Sequence, residues 1–133
     1  MDARGGRAVI VGIGLDIVAV ERIARPLGDG DGGFEALVFT QAEREACQRR
    51  VDRAQALAAR FAAKEACLKA LGTGLKTGMS FQQVEVLERS DGRPELRLSG
   101  AAAERAQALG VRRVLVSLSH EREVAAAAVV LEA

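Results

Sequence analysis

The apolar run from Ala8 to Ile13, with glycines at 12 and 14, reads as a first strand that is nearly all buried, with Asp16 at its exit. From Ile17 onward Val20, Ile23, Ala24 and Leu27 recur at helical spacing, with Glu21, Arg22 and Arg25 on the other side, until Pro26 and Gly28 break the pattern. A strand therefore feeds a short helix through Asp16. GDGDGG (28–33) reads as a flexible turn, after which FEALVF and a Thr40 N-cap lead into a helix starting near Gln41. The charges of that helix read as a solvated face. Arg53 to Leu71 contains neither Gly nor Pro, is rich in Ala and is followed by Gly72, which predicts one long helix. Its apolar stripe is Ala54, Leu57, Phe61 and Leu68, and Glu65 falls only about 40° from Phe61 at about 100° per residue. Lys69 follows Glu65 by one turn, and Arg60 and Lys64 flank the stripe on its other edge.

Beyond LGTGLKTG, Val84 to Glu88 and Glu95 to Leu98 flank an SDGRP turn as a hairpin. Ser99 is placed to cap a helix from Ala101 to Leu109 that Gly110 ends. VLVSLS then alternates before a turn at HERE and the last strand VAAAAVVL. This order predicts an α+β fold with a largely antiparallel sheet packed against a long helix. The expected organisation is one domain over 8–133 behind a flexible, unpatterned segment 1–7.

A chain of 133 residues with 49% apolar composition builds one sizeable core. Nineteen Lys and Arg against eighteen Asp and Glu leave a formal charge of +1, which supplies no general field for nucleic acid or an anionic membrane. Val124 to Leu131 falls well short of the ~20 residues that cross a bilayer. The start MDARGGR lacks the apolar core of a signal peptide, and Cys47 and Cys67 form no close-spaced pair. A cytoplasmic chain with reduced, core-filling thiols is expected. A zinc site from Cys47, Cys67 and His120 has no paired spacing behind it.

The stretch GIGLDI opens like a dinucleotide-binding turn, but Ile17 stands where its third glycine belongs. GTGLKT resembles the tail of a P-loop, yet Leu75 separates glycine from lysine and the loop follows a helix. Taken singly, Asp16 is a helix N-cap, Glu65 an ion-pair partner of Lys69, and His120 a turn residue. Taken together, two carboxylates beside apolar sequence and accompanied by Lys and Arg suit a hard divalent ion bridging protein to phosphate. Mg²⁺ uses one or two protein carboxylates and completes its shell with water and substrate oxygens. The chemistry indicated is phosphoryl transfer or nucleotide binding.

GIGLDIVAVERI and RFAAKEACLKALGTGL resemble the paired signature of the holo-acyl-carrier-protein synthases, the small 4′-phosphopantetheinyl transferases. The similarity runs from about Ile10 to the C-terminus and takes in SFQQVEV, the DGRP turn and VSLSH. The resemblance implies the 4′-phosphopantetheinyl transferase fold and Mg²⁺ as cofactor. It implies transfer of the phosphopantetheine arm of coenzyme A to a serine of an apo acyl carrier protein, of fatty-acid or polyketide type, releasing adenosine 3′,5′-bisphosphate. By the same resemblance Asp16 and Glu65 are metal ligands and Lys69 sits at the pyrophosphate. Arg60, Lys64, Gly72, Thr73 and His120 fall in segments lining the coenzyme pocket. The acceptor of the serine proton stays open between Glu65, Asp16 and water beside the ion, with Glu65 or a water near it favoured.

The resemblance also implies a homotrimer with a coenzyme site at each subunit interface, and a carrier-docking face at Arg22, to which Arg25 adds. The chain departs from the pattern there. Asp29 and Asp31 precede Phe34 where relatives carry bases, and Leu37 replaces a frequent arginine, so weakened docking is expected. Two other readings use the same residues: a Mg²⁺-dependent nucleotide or coenzyme A hydrolase, and an inert coenzyme A binding module. The intact set Asp16, Glu65 and Lys69 argues against the second.

Overall fold

The computed structural model describes residues 7–76 and 78–133, except the side chain of Asp29. All but Arg7 of the segment expected to be flexible lies outside the described residues. The elements in chain order are β1 (Ile10–Ala19), α1 (Glu21–Asp29), α2 (Gly33–Val38), α3 (Gln41–Cys47) and α4 (Arg53–Leu71). A 3₁₀ turn (Phe81–Gln83), β2 (Val84–Glu88), β3 (Pro94–Leu98), α5 (Gly100–Ala108), β4 (Arg113–Glu121) and β5 (Val124–Glu132) complete the fold. The strands form an antiparallel sheet ordered β1-β5-β4 and a separate β2-β3 hairpin. The α+β class, the antiparallel pairing and the long helix all agree with expectation.

The first strand is longer than its apolar run. β1 continues through Asp16 to Ala19 because it pairs with β5 along its whole length, from Ile10 opposite Glu132 to Ala19 opposite Val124. The β-branched residues Ile17 and Val18 suit that ladder, and it overrides the helical spacing. Asp16 therefore lies inside a strand and caps nothing; α1 starts at Glu21, with Val20 at its N-cap and no side-chain cap bond. α1 also runs through Pro26 and Gly28 to Asp29 instead of stopping at them.

α4 is the axis of the molecule. It is buried on nearly every side, from Ala56 to Leu71, where a single stripe was expected. The sheet covers one side and the hairpin, α1 and α3 cover others. A helix this rich in alanine lets neighbours approach on all sides. Gly12 and Gly14 of β1 take that approach to its limit, since a Cβ on either would collide with the Ala70 or Ala66 carbonyl of α4. The glycines that mimic a nucleotide fingerprint thus serve helix-to-strand packing.

The Thr40 cap is present as a full capping box with Glu43. The α3 charges are not all solvated, however: Glu43 is fully buried. Ser99 occupies the N-cap position of α5 without a side-chain cap bond, and Gln83 Oε1 instead accepts from Ala102 N at 3.1 Å. Cys47 and Cys67 are buried free thiols, and burial pushes Cys67 up to about 12. Among the described residues no helix is long and apolar enough to cross a membrane.

Candidate active site

Two groups of charged residues stand on opposite edges of the β1-β5-β4 sheet. On the β1 edge, positions 12, 14, 16 and 18 share the face of the strand that meets α4, with glycine at the first two, so Asp16 enters the strand-helix interface. Lys69 Nζ donates to Asp16 Oδ1 at 2.8 Å and to the Leu15 carbonyl at 3.1 Å. These bonds use two of its three donors. The hydrogen bond to Asp16 holds the Lys69 ammonium above its ordinary range, with Glu65 adding a smaller attraction from one turn earlier. Asp16 is mostly covered and Lys69 is half exposed, so the pair is open to solvent on the lysine side.

Around the end of α4, Gly72 takes a left-handed conformation (φ 77°) and donates to the carbonyls of Leu68 and Lys69. Arg105 of α5 donates from Nε to the Leu71 carbonyl at 3.0 Å, clasping the same terminus. The Thr73 hydroxyl follows, buried and without a partner among the described residues.

On the β4 edge, Arg60 and His120 line a cavity of about 240 Å³ together with Arg50, Gly92, Pro94 and Leu118. Arg60 is 8% exposed. Its Nη1 donates to the Ala56 carbonyl at 3.2 Å, while its Nε is buried without a partner. A buried guanidinium with unmet donors is a strong anion ligand. Asp52 bonds Arg50 through both oxygens (2.7 and 2.9 Å) and lies 3.8 Å from His120 Nε2. Those Arg50 bonds hold the Asp52 carboxyl below its usual range.

At about 100° per residue Arg60 and Glu65 point about 140° apart on α4. β5 also separates Asp16 on β1 from His120 on β4. One molecule therefore holds the two groups on different sides of its central helix.

Lys64 joins neither group. Its Nζ donates to Glu43 Oε1 at 2.7 Å, the Phe81 carbonyl at 3.0 Å and the Val84 carbonyl at 2.7 Å, which uses all three donors inside the core. Burial lowers its pKa against the opposing pull of Glu43. The side chain expected in a segment lining the coenzyme pocket thus has its ammonium bound within the protein.

Sequence reasoning missed Arg50 and Glu43. Thr-x-x-Glu from Thr40 to Glu43 was a readable capping-box signal, whereas nothing in the sequence marked Arg50.

The donor set fits a hard ion. Asp16 and Glu65 offer carboxylate oxygen, and among the described residues no three His, Cys, Asp or Glu gather into a cage. Mg²⁺ needs no such cage when a phosphorylated substrate completes its shell.

The profile of the 4′-phosphopantetheinyl transferase superfamily matches residues 12–129. The chain belongs to that superfamily. It is 47% identical over 129 residues to a holo-acyl-carrier-protein synthase of Methylobacterium radiotolerans, covering 94% of this chain and 95% of the relative. An Anaeromyxobacter dehalogenans protein of the same name is 50% identical, covering 93% and 97%. Among solved structures, the Neisseria meningitidis holo-acyl-carrier-protein synthase superposes with a TM-score of 0.85 at 34% identity, covering 94% of this chain and all of that one. The Helicobacter pylori enzyme, solved in complex with coenzyme A, gives 0.78 at 29% identity, covering 90% and 98%.

Proposed function

We propose that the protein transfers the 4′-phosphopantetheine arm of coenzyme A to a serine hydroxyl of an apo acyl carrier protein, releasing adenosine 3′,5′-bisphosphate. The observation that carries this reading is the contact of Lys69 with Asp16, one turn after Glu65, inside the region that matches the superfamily. Asp16 and Glu65 would hold Mg²⁺. When bound, that ion neutralises charge on the pyrophosphate and on the departing bisphosphate.

The serine oxygen bonds to the phosphorus nearer the pantetheine, the bond to the bridging oxygen breaks, and that oxygen leaves with the bisphosphate. Lys69 has one donor free for a phosphate oxygen. The serine proton goes to Glu65 or to a water beside it. Arg60, Arg50 and His120 suit the remaining phosphate of the coenzyme, and Gly72 and Thr73 border its path. Lys64 acts from the interior instead of touching coenzyme.

We infer a homotrimer in which each transfer site is shared between subunits. Its support is the position of the two charged groups on opposite sides of α4 and the bare outer face of the sheet. There Ile13, Leu15 and Ile17 are 62 to 71% exposed, opposite Val130, Ala128 and Ala126 of β5. Residues 8–133 are taken as one domain, and the reduced thiols suit a cytoplasmic location.

We assign carrier docking to Arg22, exposed on α1 and stacked 5.5 Å from the Phe61 ring. Arg25 adds less, because Glu21 holds it at 2.6 Å. Asp31 accepts from Gly33 N at 2.9 Å at the start of α2, while the Asp29 side chain lies outside the described residues. Arg22→Ala is expected to raise KM for the carrier several-fold at low salt with little change for coenzyme A; an unchanged carrier KM would remove Arg22 from the interface.

The reaction itself is tested by mixing protein, coenzyme A, Mg²⁺ and apo carrier and weighing the carrier by mass spectrometry. One added phosphopantetheine arm is expected. Coenzyme A turnover without carrier would favour the hydrolase reading, and binding without turnover the inert module.

A further inference from the structure

Glu43 and Lys64 form a buried ion pair that the transfer reaction leaves without a role. Both side chains are fully buried, and their contacts reach four parts of the chain. Glu43 Oε1 accepts from Lys64 Nζ and from Thr40 N at 2.9 Å, while Oε2 accepts from Val86 N at 2.8 Å. Lys64 binds the carbonyls that enter β2. Thr40 extends the network by donating from Oγ1 to Glu85 Oε2 at 2.5 Å.

Around α4, Lys64 falls between Leu57 and Leu71 in the row Leu57, Phe61, Lys64, Leu68, Leu71, all of them buried. Apolar side chains in place of both members of the pair would cost little stability, whereas removing one member strands the other. What a methyl or methylene cannot supply is direction. The side of α4 that meets β1 carries Ala66 and Ala70 against Gly12 and Gly14, a close contact between small residues that contains no directed side-chain bond. Three directed bonds from one ammonium key the rotation of α4. Glu65 is the next residue, so any turn of α4 swings its carboxylate.

We propose that Glu43 and Lys64 are a positioning pair for the transfer site: they fix the rotation of α4 and so aim Glu65 into the group it forms with Asp16 and Lys69. The proposal rests on the reading that Asp16 and Glu65 hold the metal. Reacting groups must be held to within roughly 0.5 Å and 10–20° for full effect.

The test measures bound Mn²⁺ by electron paramagnetic resonance with coenzyme A present and carrier absent, beside kcat, KM and the urea midpoint. The proteins are wild type, Glu65→Gln, Glu43→Asp, Lys64→Met and the double variant Glu43→Gln/Lys64→Met. Glu43→Asp keeps both charges and shortens one reach by a methylene; it should weaken Mn²⁺ binding about 10-fold and lower kcat in step, with KM for coenzyme A nearly unchanged. In the double variant the charges again balance, so the urea midpoint should return toward wild type while Mn²⁺ affinity and kcat stay low. Recovery of all three together would make the pair purely structural and overturn the proposal. So would wild-type Mn²⁺ affinity in Glu43→Asp, which decides the matter if the double variant does not fold. Weaker coenzyme binding with intact Mn²⁺ affinity in Lys64→Met would make Lys64 a direct ligand, again overturning it. Undiminished Mn²⁺ affinity in Glu65→Gln would strike the metal reading itself and the proposal with it.

Discussion

Lys64 and Lys69 lie on the same helix and hold carboxylates at almost the same distance, 2.7 Å to Glu43 and 2.8 Å to Asp16. Their surroundings differ completely. The first pair is 0% exposed on both sides and every donor is used, whereas Lys69 is 54% exposed and keeps a donor free. The same chemical pair is therefore fixed in one place and exchangeable in the other. An ion or a phosphate arriving from solvent can take over the bonds of Lys69 and Asp16, because water already competes for them. Nothing from solvent reaches the bonds of Lys64. Distance alone does not distinguish a structural pair from a reactive one; burial and spare hydrogen-bonding capacity do.

The sharpest way to break this comparison is to remove charge from the open group. Asp16→Asn and Glu65→Gln should each cost about 10²-fold or more in transfer rate while circular dichroism and the urea midpoint stay near wild type. Wild-type turnover in both at limiting Mg²⁺ would return the two carboxylates to a purely structural role. The reciprocal experiment compares Lys64→Met with Lys69→Met in urea. The first strands a buried carboxylate and should lose about 3 kcal/mol or more. The second should leave the midpoint almost where it was and slow transfer instead. Equal midpoint shifts would erase the distinction.

Gly14→Ala separates the pairs by geometry. Its added Cβ meets the Ala66 carbonyl, so β1 must retreat from α4 at a cost of ~1–3 kcal/mol. Asp16 moves with the strand, and transfer should fall although no charge has changed. The buried pair lies away from β1 and should keep its amides protected in hydrogen exchange.

The smallest effect is in alkaline pH. Lys69 titrates above its ordinary range, chiefly through its bond to Asp16, so its contribution to stability is complete below the unfolded-chain value and fades as pH rises through the folded one. Lys64 is shifted down by burial. Between its folded value and 10.5, the ordinary lysine value, the unfolded chain binds the extra proton, so this term grows with pH. Thermal melts from pH 8 upward should show a shallower alkaline decline in Lys69→Met and a steeper one in Lys64→Met, each relative to its own value at pH 8.

Local signals sufficed wherever the deciding interactions were local: an unbroken alanine-rich run closed by Gly72, a Thr40 cap, an SDGRP turn between two alternating segments. The charged residues of the open group were legible too, because Glu65 and Lys69 stand one turn apart and the two motifs around them resemble one family. Local signals failed where partners distant in sequence decided the outcome. Asp16 looked like a cap because a helical spacing follows it, and only pairing with β5, more than a hundred residues later, draws Ile17 to Ala19 into a strand. Glu43 looked solvated because its buried partners, Lys64 and Val86, are 21 and 43 residues away. Sequence alone determined the long helix, the turns and the kinds of charge available, since these rest on backbone preference and short-range spacing. Tertiary structure decided which charges are buried and which face water, because desolvation depends on everything packed around a side chain and is written at no single position.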